Sequence, residues 1–290
     1  MTLFAVKVRV HPLFLAVLAL AVYAHYLDQA LMLFGVVLLH EFGHVVAAAR
    51  YGYRTESVEL LPFGGVARLG TRNLGWNSRH ETVIAICGPL VNLLLTVLAL
   101  GLHIVGLLPE HITNQFVTIN LTLGLFNLLP GLPLDGGRIA RAGLALARGY
   151  EAATRVVTRM SFYLAAALMT FGALSLWLGY ADSGLLALGI FLLFSAYTLH
   201  RHSRYDTLRF LDAKRRDQYA IPLPVRALVV SEGAAIGDIA VGFSPGAYHM
   251  IYVRDAARRD MLAAPITEQQ VLEAIFERGM WTESISELLL

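Results

Sequence analysis

The chain has 290 residues, of which 57% are apolar and only 15% are charged. A soluble globular domain carries about 25% charged residues, so this composition, with its mean hydropathy of +0.60, indicates a membrane protein. The single cysteine, Cys87, excludes an intrachain disulfide and any metal site built from several thiolates. The net charge of +2 indicates nothing about partners.

The elements predicted for the first 200 residues are mainly spanning helices. A helix that crosses a bilayer needs about 20 mostly apolar residues, and six such segments follow an amphipathic leader. They lie at 12–25, 30–49, 82–107, 115–134, 161–179 and 184–200. Between the second and third segments, residues 58–69 combine β-branched residues with a proline and a glycine pair, which predicts a short membrane-associated β-hairpin.

The character of the sequence changes after residue 200. Residues 201–220 are basic and polar, which predicts a helical linker that leaves the membrane. Residues 221–290 alternate short strand patterns with the helix pattern TEQQVLEAIFERG, which predicts a small α/β domain. The predicted fold class is therefore an α-helical polytopic membrane protein with a membrane domain over 1–200, this linker, and a C-terminal cytoplasmic domain.

The distribution of basic residues predicts the orientation. Cytoplasmic loops are enriched in Lys and Arg. Three predicted connections, HYLDQ, LPEHITN and GYADSG, contain neither residue. All 23 basic residues fall in the leader, in the loops after the second and fourth helices, or after the sixth helix. Both termini are therefore expected in the cytoplasm.

The second apolar segment contains the pattern His40-Glu41-x-x-His44. Ionisable groups inside a spanning segment are costly, which favours a functional site over a structural one. Histidines four residues apart project from one helix face, so both imidazoles can bind one metal ion, and Glu41 can take a proton from a metal-bound water. The alternative interpretation is a pair of hydrogen-bonded core histidines with an ion-paired glutamate.

A catalytic zinc has three protein ligands and an open position, so a third ligand is expected elsewhere. Asp135, in the segment NLLPGLPLDGGR, is the predicted ligand, placed on irregular backbone by two prolines before it and two glycines after it. The charge-based topology brings it to the same leaflet as His44, which lies about 9 Å from the cytoplasmic end of its helix. The alternative is an ordinary polar helix end. A His₂Asp set also suits iron, cobalt or manganese.

These motifs resemble those of a known family. HEFGH in an early helix, LLPFGG after it, CGPLVN in the third helix and NLLPGLPLDGG in the fourth are similar to motifs of the site-2 protease family of intramembrane zinc metalloproteases. The resemblance covers about residues 8–210 well and the tail weakly.

The resemblance implies a role for each matching residue. His40, His44 and Asp135 would bind zinc, and Glu41 would be the general base. Asn127 would position the substrate backbone or stabilise the oxyanion, with an interhelical hydrogen bond as the alternative. Asn92 matches a recurrent position that faces the site, with helix packing as its alternative, and the hairpin would pair with an unwound substrate.

The resemblance also implies partners. Within the family, the chain is most similar to a sporulation branch, which implies a sporulation sigma-factor precursor as substrate and membrane inhibitor proteins as regulators, and no nucleic acid. The tail resembles one half of a CBS-type nucleotide-sensing domain, which implies pairing between chains as a homo-oligomer. Gln270 stands three residues after Thr267, where an acid would hold a ribose, so a plain docking domain is the alternative.

Two other classes of function remain as alternatives. A membrane metal transporter would need an acidic or histidine path toward the outer face, and the outer halves of the second and fourth helices, ALMLFG and FVTINLTLG, contain none. A non-proteolytic scaffold relative would be expected to have lost Glu41 or a metal ligand, and this sequence keeps all four.

Overall fold

The computed structural model describes residues 7–10, 12–53, 55–61, 64–69, 77–180, 183–216, 222–254 and 261–289. The chain divides into two compact units. The first comprises residues 1–74 and 79–139, and the second comprises residues 75–78 and 140–290.

The first unit combines helices with a small three-stranded sheet. Its elements are β1 (Lys7–Val10), α1 (Pro12–Tyr23), α2 (Leu27–Arg50), β2 (Thr55–Leu61), β3 (Gly64–Leu69), α3 (Ser78–Ile104), α4 (Glu110–Asn127) and the start of α5 (Asp135–Arg148). Strand β2 lies between β1, which it pairs with in parallel, and β3, which it pairs with antiparallel. The β2–β3 pair confirms the predicted hairpin, whose turn at 62–63 lies outside the described residues.

Strand β1 was not predicted, because its partner β2 lies more than forty residues along the chain and leaves no local turn signal. Four residues of the predicted leader form this strand, and residues 1–6 lie outside the described part of the chain.

The end of α4 differs from the prediction. The fourth apolar segment was expected to reach residue 134, but α4 ends at Asn127, ahead of Pro130. Asp135 was expected on irregular backbone, and it is instead the first residue of α5. The start of this helix was not predicted from the sequence DGGR, because two glycines in a row have low helix propensity and are typical of a turn.

The two glycines serve close packing rather than a turn. A Cβ on Gly136 would lie 2.0 Å from the Leu128 carbonyl oxygen, and one on Gly137 would lie 2.4 Å from the Gly131 carbonyl carbon. The segment between α4 and α5 therefore folds back onto the first turn of α5, which only residues without a side chain permit.

In the described part of the chain, four helices are long and apolar enough to cross a membrane: α2, α3, Tyr150–Trp177 (α6) and Gly184–Arg216 (α7). This agrees with a multi-pass membrane protein. Helix α1 has 12 residues and α4 has 18, so the count of six spans stays a prediction. Helix α6 begins eleven residues earlier than expected, and α7 continues without a break through the basic segment.

In the second unit, α6 and α7 pack against each other through small residues. A Cβ on Gly172 would lie 2.6 Å from the Leu186 backbone nitrogen, and one on Gly189 would lie 2.7 Å from the Met169 side chain. Small residues at such positions allow the backbones of apolar helices to approach closely, which maximises van der Waals contact where no hydrophobic effect drives association.

The tail has the predicted strand–helix–strand–strand–helix order. Its elements are β4 (Val225–Ser231), α8 (Ile236–Val241), β5 (Tyr248–Arg254), β6 (Met261–Thr267), α9 (Glu268–Arg278) and a 3₁₀ turn at Ile285–Leu288. The sheet order is β4-β5-β6, with β4 and β5 parallel and β5 and β6 antiparallel.

The core of the tail extends beyond residues 221–290. Phe210 and Leu211 of α7 and Tyr150 of α6 are buried in the same apolar cluster as Ile251 and Leu272. The described part of the predicted linker, residues 201–216, is therefore a helix with one face buried in the core of the tail rather than a free connection.

A buried ionic cluster also links α7 to the tail. Lys214 Nζ lies 2.8 Å from Glu268 Oε1 and donates to the Ala247 carbonyl at 2.7 Å. The second carboxylate oxygen of Glu268 accepts from the backbone N–H of His249 at 2.9 Å and from its ring Nδ1. All three side chains are at most 6% exposed, so the charges of Lys214 and Glu268 depend on these contacts.

We expect Glu268→Gln to destabilise the tail by about 3–5 kcal/mol, because it removes the carboxylate charge that lies 2.8 Å from the buried Lys214 ammonium. Hydrogen exchange of the α9 amides in the full chain, in detergent, measures this effect. Glu277→Gln on the same helix is the matched control, since its ion pair with Arg215 is exposed and is worth at most about 1 kcal/mol. Equal exchange rates in the two variants would contradict the expectation.

The same carboxylate predicts a pH dependence. Burial alone would raise the pKa of Glu268, but the hydrogen bond from His249 and the charge of Lys214 outweigh it and hold the pKa below its ordinary value of 4.5. A lowered pKa contributes stability that is fully present above 4.5 and is lost as the pH falls through the lowered value. Glu268→Gln should therefore remove part of the acid sensitivity of α9 exchange.

Candidate metal centre

Helix α2 presents two histidines from one face. His40 and His44 are one helical turn apart and are each 3% exposed, and their Nε2 atoms lie 3.2 Å from each other. The predicted same-face arrangement is present, and the two rings meet edge to face.

Asp135 completes a three-membered cluster. Its Oδ2 atom lies 3.2 Å from Nε2 of His40 and 3.2 Å from Nε2 of His44. The carboxylate is 5% exposed and sits on the first residue of α5, where the helix dipole favours a negative charge. Its other oxygen, Oδ1, lies 3.6 Å from the guanidinium of Arg138, an orienting contact that sequence reasoning missed.

The spacing of the three ligand atoms fits zinc. Bonds of about 2.0–2.1 Å at tetrahedral angles put ligand atoms about 3.3 Å apart, and all three separations here are 3.2 Å. Asp135 Oδ2 is also buried without a hydrogen-bond donor among the described residues. A bound cation would satisfy all three converging lone pairs at once.

The far side of each ring is held by an acceptor. His44 Nδ1 lies 2.8 Å from the Ile84 carbonyl oxygen, and His40 Nδ1 lies 2.8 Å from Asn92 Oδ1. Both partners are on α3. An acceptor at Nδ1 keeps the proton there and leaves the Nε2 lone pair for the metal.

Glu41 and Asn127, the two predicted catalytic residues, differ in their hydrogen bonding. Glu41 is adjacent to His40 in α2 and is partly buried, and within the described residues no hydrogen bond or ion pair holds its carboxylate. Asn127, the last residue of α4, donates to the Leu123 carbonyl of its own helix at 3.0 Å. That contact is neither the predicted contact with substrate nor an interhelical bond.

Glycines let α3 pass close to the metal ligands. A Cβ on Gly43 would lie 2.7 Å from the Cys87 carbonyl oxygen. A Cβ on Gly88 would lie 2.4 Å from His44 Nε2 and 2.7 Å from His40 Nε2. The sequence signal for this contact was the CGP triplet inside a long apolar helix, where glycine has no conformational advantage.

We expect Gly88→Ala to weaken zinc binding by at least about 10-fold, because the added methyl occupies the space beside both Nε2 atoms and forces the rings to move. Zinc content after dialysis against a competing chelator is the measurement. Gly101→Ala on the same helix is the control, since its Cβ would meet nothing within 4 Å. Equal zinc retention by both variants would contradict this expectation, because it would mean that the imidazole rings accommodate the added methyl group without loss of the metal.

Comparisons with known proteins agree with this site. The model of Peptidase family M50 matches residues 29–115 and 104–171. Stage IV sporulation protein FB of Bacillus subtilis is 28% identical over 98% of this chain and 96% of that protein. A zinc metalloprotease of Methanocaldococcus jannaschii is 29% identical over 81% of this chain and 71% of that protein.

A solved structure extends the match to three dimensions. The site-2 protease from Methanocaldococcus jannaschii superposes with a TM-score of 0.55 and 31% identity, over 66% of this chain and 89% of that one. Together with the His₂Asp cluster, these matches give zinc as the cofactor. The chain belongs to Peptidase family M50, the site-2 protease family, and is a zinc metalloprotease.

Proposed function

We propose that this protease is an intramembrane endopeptidase that hydrolyses a peptide bond of a membrane-associated protein near the cytoplasmic face. The main support for this proposal is that two of the three residues of the metal cluster lie on α2, a helix apolar enough to span the bilayer. His44 lies six residues before Arg50, the last residue of α2, which corresponds to about 9 Å at 1.5 Å per residue.

We assign the three buried ligands to zinc and the proton transfers to Glu41. Zinc, when bound, acidifies water and polarises the substrate carbonyl. The Glu41 carboxylate accepts a proton from the attacking water and then delivers it to the leaving amine nitrogen as the C–N bond breaks. Its lack of a competing ion pair within the described residues supports this role.

Asn127 is proposed to help orient the substrate or stabilise the oxyanion. Its side-chain amide is partly exposed at the end of α4, eight residues before Asp135. Its bond to the Leu123 carbonyl is a local contact that a turn of the side chain can exchange for a substrate carbonyl. Substrate binding would therefore have to draw the amide away from its own helix.

The hairpin is proposed to hold the substrate in extended form. Within the described sheet, β3 pairs on one side only, with β2, and it packs beside α2, the helix with both histidines. An extended segment added to that edge would expose peptide groups that a substrate helix hides in its own hydrogen bonds.

The membrane orientation is proposed from the distribution of basic residues, and the substrate is proposed from the resemblance to a sporulation branch of the family. The confinement of basic residues to one set of loops supports cytoplasmic termini. The similarity to stage IV sporulation protein FB supports a role in sporulation. A sigma-factor precursor as the substrate and membrane inhibitor proteins as regulators are proposed from the resemblance of the sequence motifs alone.

The tail, residues 221–290, is proposed to be a CBS-like domain that pairs with a second copy. The solvent-facing side of β4 exposes Val225 and Val229 by 64% and 57%, an apolar surface suited to such contact. Thr267 and Gln270 form a capping box at the start of α9, with Gln270 N–H donating to Thr267 Oγ1 at 3.2 Å. That structural use of Gln270 favours a docking role over nucleotide binding.

A reconstituted assay tests the proposed function. The purified protein and a membrane-tethered sporulation sigma-factor precursor are placed in liposomes, and products are mapped by mass spectrometry. We expect one cut near the cytoplasmic end of the substrate, loss of cutting with a zinc chelator, and recovery when zinc is returned. Cutting that persists without zinc would exclude the mechanism.

The same liposomes test the rival functions. Zinc accumulation inside them would support a transporter, and a complex with the precursor that never yields product, with zinc bound, would support a scaffold.

A proline scan of β3 adds a test of the proposed substrate-binding edge. Every second backbone N–H of an edge strand faces away from β2 and would be free to bind the substrate. Proline variants at those positions should therefore lose cleavage activity while retaining zinc.

A further inference from the structure

Asn92 lies at the centre of a polar chain that ends at the metal centre. The residue is on α3 and is 1% exposed. Its Oδ1 lies 2.8 Å from His40 Nδ1, and its Nδ2 donates to the Asn120 carbonyl on α4 at 3.1 Å. The two ends of one amide therefore contact two different helices.

The Asn120 carbonyl determines which way the amide points. A carbonyl oxygen only accepts hydrogen bonds, so it must face the NH₂ group of Asn92 rather than its oxygen. The oxygen then faces His40, and because it too only accepts, the proton of His40 must be on Nδ1. The remaining lone pair, on Nε2, points toward His44 and Asp135.

Packing holds Asn92 in this place. A Cβ on Gly124 would lie 3.3 Å from Asn92 Cβ, so the glycine lets α4 approach this closely without displacing Asn92. The counterpart for His44 is the Ile84 backbone carbonyl, which no substitution removes. Asn92 is thus the side chain through which the orientation of a ligand can be tested.

We propose that Asn92 is a positioning residue, which fixes the ring orientation and tautomer of His40 so that Nε2 faces the zinc. Asn92 acts through His40 and contacts neither metal nor substrate. A neighbouring group that accepts a hydrogen bond from a metal-bound histidine commonly contributes 10–100-fold to metal affinity, so an effect of about that size is expected.

The test compares three variants by zinc affinity, measured on purified protein against a chelator of known affinity. Asn92→Leu removes the acceptor and should weaken zinc by about 10–100-fold. Asn92→Asp keeps an acceptor for His40 but replaces the donor to the Asn120 carbonyl with a second acceptor. It should therefore bind zinc less tightly than wild type but more tightly than Asn92→Leu. Thr96→Val, one turn along α3, removes a buried hydrogen bond to the Asn92 carbonyl and should stay near wild type.

The relative zinc affinities of these variants distinguish a positioning role of Asn92 from a role in helix packing alone. If Asn92 only linked α3 to α4, Asn92→Asp would lose zinc as Asn92→Leu does, and the proposal would be overturned. Wild-type affinity in Asn92→Leu, or an equal loss in Thr96→Val, would overturn it as well. Visible absorption of the cobalt-loaded protein adds a direct readout, since a turned His40 ring changes the ligand field. If Asn92→Leu does not fold, Asn92→Ala removes the acceptor with less bulk and is judged by the same outcomes.

This test does not depend on the substrate. Zinc affinity and the cobalt spectrum are measured without any peptide, so a wrong substrate assignment leaves the result intact. Conversely, the proposed cleavage can stand even if His40 is held by packing alone.

Discussion

Glu41→Gln is expected to lower the rate of peptide cleavage by about 10³-fold or more while leaving about one zinc per chain. Glutamine matches glutamate in size and polarity but accepts no proton at neutral pH. The attacking water then loses its base, and the leaving amine loses its acid. The measurement is single-turnover cleavage of the reconstituted precursor, with zinc determined on the same preparations.

The control for Glu41→Gln is Glu151→Gln, on α6, whose carboxylate forms an exposed ion pair with Arg155. That variant should cut at the wild-type rate. A Glu41→Gln enzyme that cuts as fast as wild type would exclude Glu41 as the base. A variant that cuts slowly and has also lost zinc would instead assign Glu41 a structural role at the metal centre.

Asp135→Ala should abolish both cleavage and stable zinc binding. The carboxylate supplies one of three ligand atoms, each 3.2 Å from the other two. Two histidines alone leave two coordination positions to water, and removal of a ligand weakens a site far more than the roughly 10–100-fold effect of a residue behind the ligands. Zinc content after chelator dialysis is the decisive measurement, and cleavage follows it.

Glu110→Ala is the matched control for Asp135→Ala. Glu110 is likewise the acidic first residue of a helix, α4, but it is exposed and far in sequence from either histidine. Both variants lose an interaction with a helix dipole, so zinc loss in Asp135→Ala alone cannot be assigned to that interaction. Full zinc retention by Asp135→Ala would mean that the third ligand lies elsewhere.

The two variants separate the two functions of the site. Glu41→Gln should leave a zinc protein that does not cut, and Asp135→Ala should leave a protein without zinc. Should both lose zinc, Glu41 and Asp135 would have to be treated as one coordination unit.

Local patterns in the sequence were enough to predict the parts of the site that depend on periodicity. His40 and His44 share a helix face because their spacing matches one helical turn. The placement of Asp135 with them was predicted from charge-based topology, and the structure brings its carboxylate to the two imidazoles. The hairpin followed from its β-branched residues and its glycine pair.

Tertiary structure alone decided the features that depend on contacts distant in sequence. The glycines after Asp135 read locally as a turn, yet they lie in the first turn of α5 because backbone from Leu128 to Leu132 packs against them. Likewise, β1 forms only because β2 offers it an edge. Phe210 and Leu211, inside the predicted helical linker, are buried in the core of the tail.

Composition, and spacing within a single element, were therefore enough to predict the membrane class, the two candidate zinc ligands on α2 and the kind of reaction. The groups that orient those two histidines became visible only once the helices were packed together. Asn92, Ile84 and Gly88 belong to a helix that begins more than thirty residues after His40, and their contacts with the histidines depend on how two helices pack. Packing of that kind depends on the shapes of both helices. A pattern within one helix, such as the CGP triplet, can therefore indicate a close approach but not the residues that it brings together.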